Sequence, residues 1–340
     1  MQAIRVQQFG DSSVLRPVDI PIPEPARGEV RIRVDAAGVN FADVIRRRGG
    51  RYPFPTALPF TPGSEVAGVV DALGDGVAGP PVGTPVFAAV GTGPHAGSTG
   101  YAAFALAEAA QVIPLPPGLS PEVACGVVVA GTTAMLMLRN VAGITGGERV
   151  FITAAAGGVG SYAVQIARAL GAAQVIAGVG NLGKSDAVRA LGADAVVDYS
   201  QKGWPDAVRA ASDGAGVDVL LEMRGGRALE ERLSALAPWG RLVVYGAASG
   251  DPYTLSSAAL THWLEVPALN QSVHSFNLGL WFALRGAVAG DAVGTLIGMV
   301  AGGVVRAPTI ESYPLSQAAQ AHTRIEERQT TGKVVLIPER

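Results

Sequence analysis

One cysteine, Cys125, is present in 340 residues, too few for an intramolecular disulfide or a multi-thiolate metal site, so a reducing compartment is expected. Charge is also scarce. Asp, Glu, Lys and Arg make up 16 % of the chain and nearly cancel to a formal −2, which gives no overall field toward nucleic acid or anionic lipid. The start, MQAIRVQQFG, lacks a basic segment followed by an apolar core, so no secretory signal is read and a cytoplasmic location is expected. No apolar run makes a clear bilayer span: VACGVVVAGTTAMLML from Val123 carries glycine and threonines, and the run from Leu278 to Val305 is broken by Arg285 and Asp291. Both are expected to be buried helices. The four histidines, His95, His262, His274 and His322, show no ligand spacing, so no metal site is expected.

Apolar residues, by contrast, form 49 % of the chain, enough for two domains with separate cores. From residue 1 to about 115 short strand-like runs such as VRIRV and VAGVV alternate with Gly/Pro turns, with one helical insertion at FADVIRRRG. Ser120, Pro121 and Glu122 then supply a cap, a first-turn proline and a first-turn acid, so a helix is expected to begin there. From Val150 to about Asn270, β-branched runs (RVFIT, QVIAG, AVVDY, VDVLL, RLVVYG) alternate with helical stretches, the pattern of a parallel, doubly wound sheet. GKVVLIP closes the chain as a strand whose natural partner is the β-rich first part, so that domain is expected to be discontinuous. The fold class is α/β, with one domain at 1–122 and 268–340 and a doubly wound domain at 123–267.

Within TAAAGGVGSYAVQIARALGA, the stretch Ala155-Ala156-Gly157-Gly158-Val159-Gly160 has the spacing of the dinucleotide fingerprint, with alanine in the first glycine position, between a strand and a helix. Small residues there let the backbone approach a pyrophosphate, which the amides and dipole of the helix N-terminus favour. After the next strand, where NAD-binding proteins place an acid on the ribose, QVIAGVGNLGKS offers Gly178 and then Lys184. Glycine leaves room for a 2′-phosphate and lysine supplies charge, so NADPH is the expected cofactor.

These passages, with AAGVNFADVIRRRGGRYP near residue 40, PFTPGSEVAGVV near 65 and TTGKVVLIP at the end, resemble the quinone oxidoreductase (zeta-crystallin-like) branch of the medium-chain dehydrogenase/reductase superfamily over nearly the whole length. The resemblance implies a GroES-like catalytic domain built from both chain ends, a Rossmann domain between them, a cofactor in the cleft, and a homodimer or homotetramer. It carries catalytic or nicotinamide-end positions onto Asn40, Asp43 and Tyr52, and a threonine of the connecting helix onto Thr133. The pyrophosphate loop falls on Gly157, Gly158, Val159 and Gly160, the 2′-phosphate contacts on Lys184 and Tyr199, and backbone positions around the nicotinamide on Gly246, Ala247 and Asn270. Where the family often has an aspartate, a small residue and Val-Gly, this chain has Glu222-Met223-Arg224-Gly225.

Zinc-dependent members of the superfamily place a histidine ligand where this chain has Ser64, so a metal-free reaction is expected. An acceptor must then be reactive in itself, as quinones and α,β-unsaturated carbonyls are, while the protein orients the nicotinamide and donates to the developing oxyanion. Tyr52 is the candidate donor, or else a lid on the cofactor; Asn40 positions, and Asp43 orders Asn40 or its backbone. Quinone reduction leads; enone or alkenal reduction and a non-catalytic, crystallin-like NADPH binder are the alternatives. The run Arg46, Arg47, Arg48 and Arg51 is read as a solvated face, with nucleic-acid binding a remote second use.

Overall fold

The β-branched runs between residues 149 and 275 form one parallel sheet because each is followed by a helix that returns the chain to the same edge. A computed structural model describes residues 1–50, 56–91, 100–226, 229–265 and 269–339. Its six parallel strands lie in the order Ala195–Asp198, Gln174–Val179, Arg149–Ile152, Val217–Glu222, Leu236–Val244 and Ser272–Ser275. The order reverses beside Arg149–Ile152, the first strand of this unit. The crevice at the carboxyl ends of the strands flanking such a reversal is where doubly wound sheets bind ligands. The unit comprises Thr133–Leu278 and Gly302–Arg306. Phe151 stacks on Trp204 at 5.6 Å inside it, among Ile176, Val208 and Leu220.

The other unit comprises Met1–Thr132, Gly279–Ala301 and Ala307–Arg340. Its seven-stranded sheet runs in the order Ile310–Pro314, Lys333–Ile337, Glu29–Val39, Glu65–Leu73, Pro85–Ala89 and Val112–Pro114, with Phe104–Glu108 also on Glu29–Val39. The closing strand pairs antiparallel with Glu29–Val39, Val334 opposite Val39 and Leu336 opposite Ala37. Val30, Ile32, Val66 and Val334 fill the core between the sheet and helix Ala318–Glu326.

Two expectations are corrected here. The basic run is no solvated face. Arg46 and Arg47, on helix Phe41–Arg47, are buried: Arg46 Nε donates to Thr56 Oγ1 at 2.9 Å with its guanidinium over the Phe60 ring, while Arg47 donates to the Gly10 carbonyl and to Glu326. Arg48 reaches the same Glu326 at 2.6 Å and stays half-exposed; Arg51 lies outside the described residues. Consecutive charges read as surface, but one acid on a neighbouring helix, Glu326, pairs with two of them. The run from Leu278 to Val305 is likewise no buried helix. It forms Leu278–Leu284 and Gly286–Ala301, broken at Arg285, and within these two helices only Ala289, Ala292, Val293 and Leu296 are buried, with Leu284 74 % exposed. The earlier run, Pro121–Val141, is mostly buried, as expected of a core helix.

Gly160 shows how tightly helix Gly158–Ala169 seats on its strand. A β-carbon there would lie 2.3 Å from the Ala154 carbonyl oxygen and 2.6 Å from Ala155 Cα. Gly160→Ala must push the helix outward, and a stability loss of about 1–3 kcal/mol is expected from the overpacking, read as a lower urea midpoint of unfolding.

Candidate functional site

The loop after strand Arg149–Ile152 is held open by Thr153. Its amide and hydroxyl both donate to the Leu221 carbonyl at 3.0 Å, and its hydroxyl accepts from Met223 N–H at 3.0 Å. The two strands flanking the reversal are thereby locked at their carboxyl ends, a role that sequence reasoning missed. Ala154 then adopts a left-handed φ of 52°, and Gly157 opens the helix with no side chain capping it. Gly157, Gly158 and Val159 stay partly exposed, so the first-turn amides remain available to an anion, whereas Gly160 is buried.

Gly178 has a different reason to be glycine from the one expected. A side chain there would meet Phe151 Cζ at 2.7 Å and the Ile152 carbonyl at 3.0 Å, so packing inside the sheet requires it. The open end of the strand is Gly180, where a β-carbon would lie 3.3 Å from the Tyr199 phenol. Lys184 follows, partly exposed, at the end of the turn Leu182–Lys184. Gly246 accepts the Tyr253 hydroxyl at 2.8 Å, and the amides of Ala248 and Ser249 donate to the carbonyls of Met223 and Arg224. Gly246 and Ala247 therefore stand beside the Met223–Gly225 turn, also at carboxyl strand ends. Thr133 is the first residue of this unit and is buried.

Asn270 is a correction. It precedes strand Ser272–Ser275, whose parallel register, Arg241 with Ser272 through Val244 with Ser275, puts it at the amino edge of the sheet, opposite the glycine loop. Its left-handed φ of 55° serves a turn there. The residues that leave this strand at the carboxyl end are Phe276 and Asn277, with Phe276 N–H bonded to the Val244 carbonyl.

In the first unit, Asn40 is clamped at both ends of its carboxamide. Oδ1 accepts from Lys333 Nζ at 2.8 Å, and Nδ2 donates to Glu65 Oε1 at 2.8 Å and, more weakly, to Ser64 Oγ at 3.4 Å. Glu65 and Lys333 are themselves buried and paired at 2.5 Å; Lys333 also donates to the Val39 carbonyl. The second oxygen of Glu65 accepts from Val129 N–H at 2.9 Å. Val129 lies in a π-helical turn, Val127–Gly131, where the ordinary helical bonding pattern is interrupted. Gly38 makes room: a β-carbon there would fall 2.2 Å from Glu65 Oε1.

Asp43, expected among the catalytic residues, is a buried clamp. Its carboxylate accepts from the Asn40 amide at 2.9 Å, the Gly63 amide at 3.3 Å and the Tyr101 hydroxyl at 3.3 Å, and burial pushes its pKa up to about 6. Tyr101 is also 3.0 Å from His322 Nε2, and burial drives that histidine down to about 3. Tyr52 and His95 lie outside the described residues.

Two potential metal donors of this unit are engaged elsewhere. Glu65 is committed to Lys333, and Cys125 is a buried thiol that donates to the Ala36 carbonyl at 3.2 Å, with burial holding its pKa well above the usual range. No group of three or more potential ligands converges among the described residues.

An anion-ready helix start at the reversal of a doubly wound sheet defines a dinucleotide-binding fold. The chain matches the alcohol dehydrogenase GroES-like domain over residues 26–117 and the zinc-binding dehydrogenase domain over 158–266. It is 33 % identical to a quinone oxidoreductase of Pseudomonas aeruginosa, over 98 % of this chain and 99 % of that protein. It is 32 % identical to a 2-haloacrylate reductase of a Burkholderia species, over 94 % of each. The solved Escherichia coli quinone oxidoreductase complexed with NADPH aligns with a TM-score of 0.89 at 29 % identity, covering 99 % of this chain and 100 % of that one. The chain belongs to the medium-chain dehydrogenase/reductase superfamily, and within it to the quinone oxidoreductase branch.

Lys333→Met strands a buried carboxylate and is expected to cost about 3–5 kcal/mol, most of which the double variant with Glu65→Gln recovers; urea unfolding of both distinguishes a charge-pair role from simple packing. His322 is neutral when folded but ordinarily titrates at 6.5, so unfolding takes up a proton, and its contribution to stability is complete above pH 6.5 and lost as pH falls toward 3. His322→Gln keeps a partner for Tyr101 and removes this loss. Relative to the unsubstituted protein it should gain up to about 1.4 kcal/mol per pH unit below pH 6, measured by urea unfolding down to about pH 4.5. Asp43, whose raised pKa acts in the opposite sense, is common to both proteins.

Proposed function

We propose that the protein is an NADPH-dependent reductase that delivers hydride to a quinone without zinc. The observation that carries this reading is the absence of any carboxylate in the Val179–Lys184 segment, together with the uncapped amides of Gly158 and Val159 one strand away. A 2′-phosphate fits such a loop, with Lys184 and Tyr199 as its partners, and the pyrophosphate fits the helix start. Bound there, NADPH supplies the hydride from nicotinamide C4.

The chain's own groups orient and stabilise. Asn40, clamped by Lys333 and Glu65, offers a fixed carboxamide in the role of positioning the nicotinamide or the acceptor, and Asp43 fixes its backbone. Tyr52 donates a hydrogen bond to the developing quinone oxyanion, and the hydride together with a single proton completes the hydroquinone. Ser64, the lysine-bound Glu65 and the protonated Cys125 support a reaction in which no metal polarises the acceptor.

A second reading, hydride addition to a double bond conjugated with a carbonyl, draws support from the similarity to a 2-haloacrylate reductase. Product analysis separates the two, as hydroquinone or as saturated carbonyl.

Purified protein mixed with NADPH and a reactive ortho-quinone should consume NADPH, with NADH much slower. Gly158→Asp, which sets a carboxylate against the pyrophosphate amides, should weaken NADPH binding about tenfold or more. Lys184→Ala should erase most of the preference for NADPH over NADH. NADPH binding without turnover of any quinone would overturn the quinone assignment, and an unchanged preference in Lys184→Ala would overturn the phosphate site.

A further inference from the structure

One acid and two arginines gather near the carboxyl end of strand Val217–Glu222: Glu222 on the strand, Arg224 on the turn after it and Arg232 on helix Leu229–Ser234. Glu222 is fully buried; its Oε1 accepts from Arg224 N–H at 2.8 Å and lies 3.8 Å from the guanidinium of Arg232. Arg232, buried as well, donates to the Gly225 carbonyl at 2.8 Å. The carboxylate is thus matched by Arg232. The side chain of Arg224 goes elsewhere: its guanidinium lies 4.3 Å over the ring of Tyr199 and 5.8 Å from that of Trp204, and the residue is partly exposed.

Tyr199 is the residue against which Gly180 abuts, at the strand end that meets the adenosine ribose in doubly wound folds. Lys184 stands on the loop leaving that strand. Asp198, the neighbouring acid, is occupied: Oδ1 accepts from the amide and hydroxyl of Ser200, and Oδ2 from Gln201. Its negative charge also acts on the Arg224 guanidinium. A guanidinium is permanently charged, stacks on aromatic faces and presents a planar fork suited to phosphate. Resting on Tyr199, Arg224 is held in place before any ligand arrives. It also stands where the family pattern has an apolar residue.

We infer that Arg224 is a second cationic ligand of the cofactor's 2′-phosphate, acting with Lys184 to set the choice of NADPH over NADH. This rests on the NADPH reading above and adds a specificity residue to it.

The test is equilibrium binding of NADP+ and NAD+, each by isothermal titration calorimetry, to the unsubstituted protein, Arg224→Leu and Lys184→Ala. Loss of one charge-assisted contact should weaken NADP+ binding to Arg224→Leu by about ten- to a hundredfold and leave NAD+ within about twofold. Arg224→Lys should recover part of the loss. Equal weakening of both dinucleotides would mean that Arg224 supports the adenine or the fold, and would overturn the inference; so would unchanged NADP+ affinity. Should Arg224→Leu fail to fold, Arg224→Gln supplies the same comparison. A protein that prefers NADP+, loses the preference in Lys184→Ala and keeps it in the Arg224 variants would sink this inference alone. No preference in the unsubstituted protein would sink the cofactor reading with it.

Discussion

Glu65 is the point on which the first unit is organised. One carboxylate accepts from an ammonium on the closing strand, a carboxamide at the start of a helix and a backbone amide in a π-helical turn. A buried charge pair adds little stability beyond what its desolvation costs, but removing one partner is expensive, so its effect is to exclude other arrangements. The strand, the helix start and the turn can meet only in the register that satisfies all three bonds. Asn40 acquires a defined orientation as a by-product, because each end of its amide is already assigned.

In the second unit the constraint is directional. Parallel strands put all their carboxyl ends on one edge, so the glycine loop, Gly180, Tyr199, Arg224 and Gly246 share an edge although they are spread over nearly ninety residues of chain. Thr153 fastens the pair of strands at the reversal, where no helix passes between them. The same directional rule removes Asn270 from the group.

Much of this was legible in the residues. Alternation of β-branched runs with helical stretches foretold the doubly wound sheet, and small residues at fixed spacing foretold the loop, because each reflects a local steric rule. The misplacements have physical causes. Asn270 was placed by resemblance alone, and Ser272–Ser275, which reads SVHS, hardly resembles a strand, so the residues do not reveal that the asparagine precedes one at its amino end. Arg47 looked solvated because its counter-charge, Glu326, lies 279 residues further along the chain. Lys333 drew no attention, yet a lysine opening a strand of four further apolar residues needs a buried partner, and that signal was present. Gly178 drew attention for the wrong reason, since its neighbour Phe151 belongs to another strand.

The distance along the chain between Glu65 and Lys333 has a consequence for biosynthesis. They are 268 positions apart. At roughly 5–20 residues per second, a ribosome delivers the lysine some ten to fifty seconds after the glutamate. The nucleotide-binding sheet is encoded almost entirely within that interval and needs nothing that follows it to complete its strands. During translation the second unit can therefore finish while the first still holds an unanswered carboxylate, and the hydrogen-bonded setting of Asn40 closes only with the final strand.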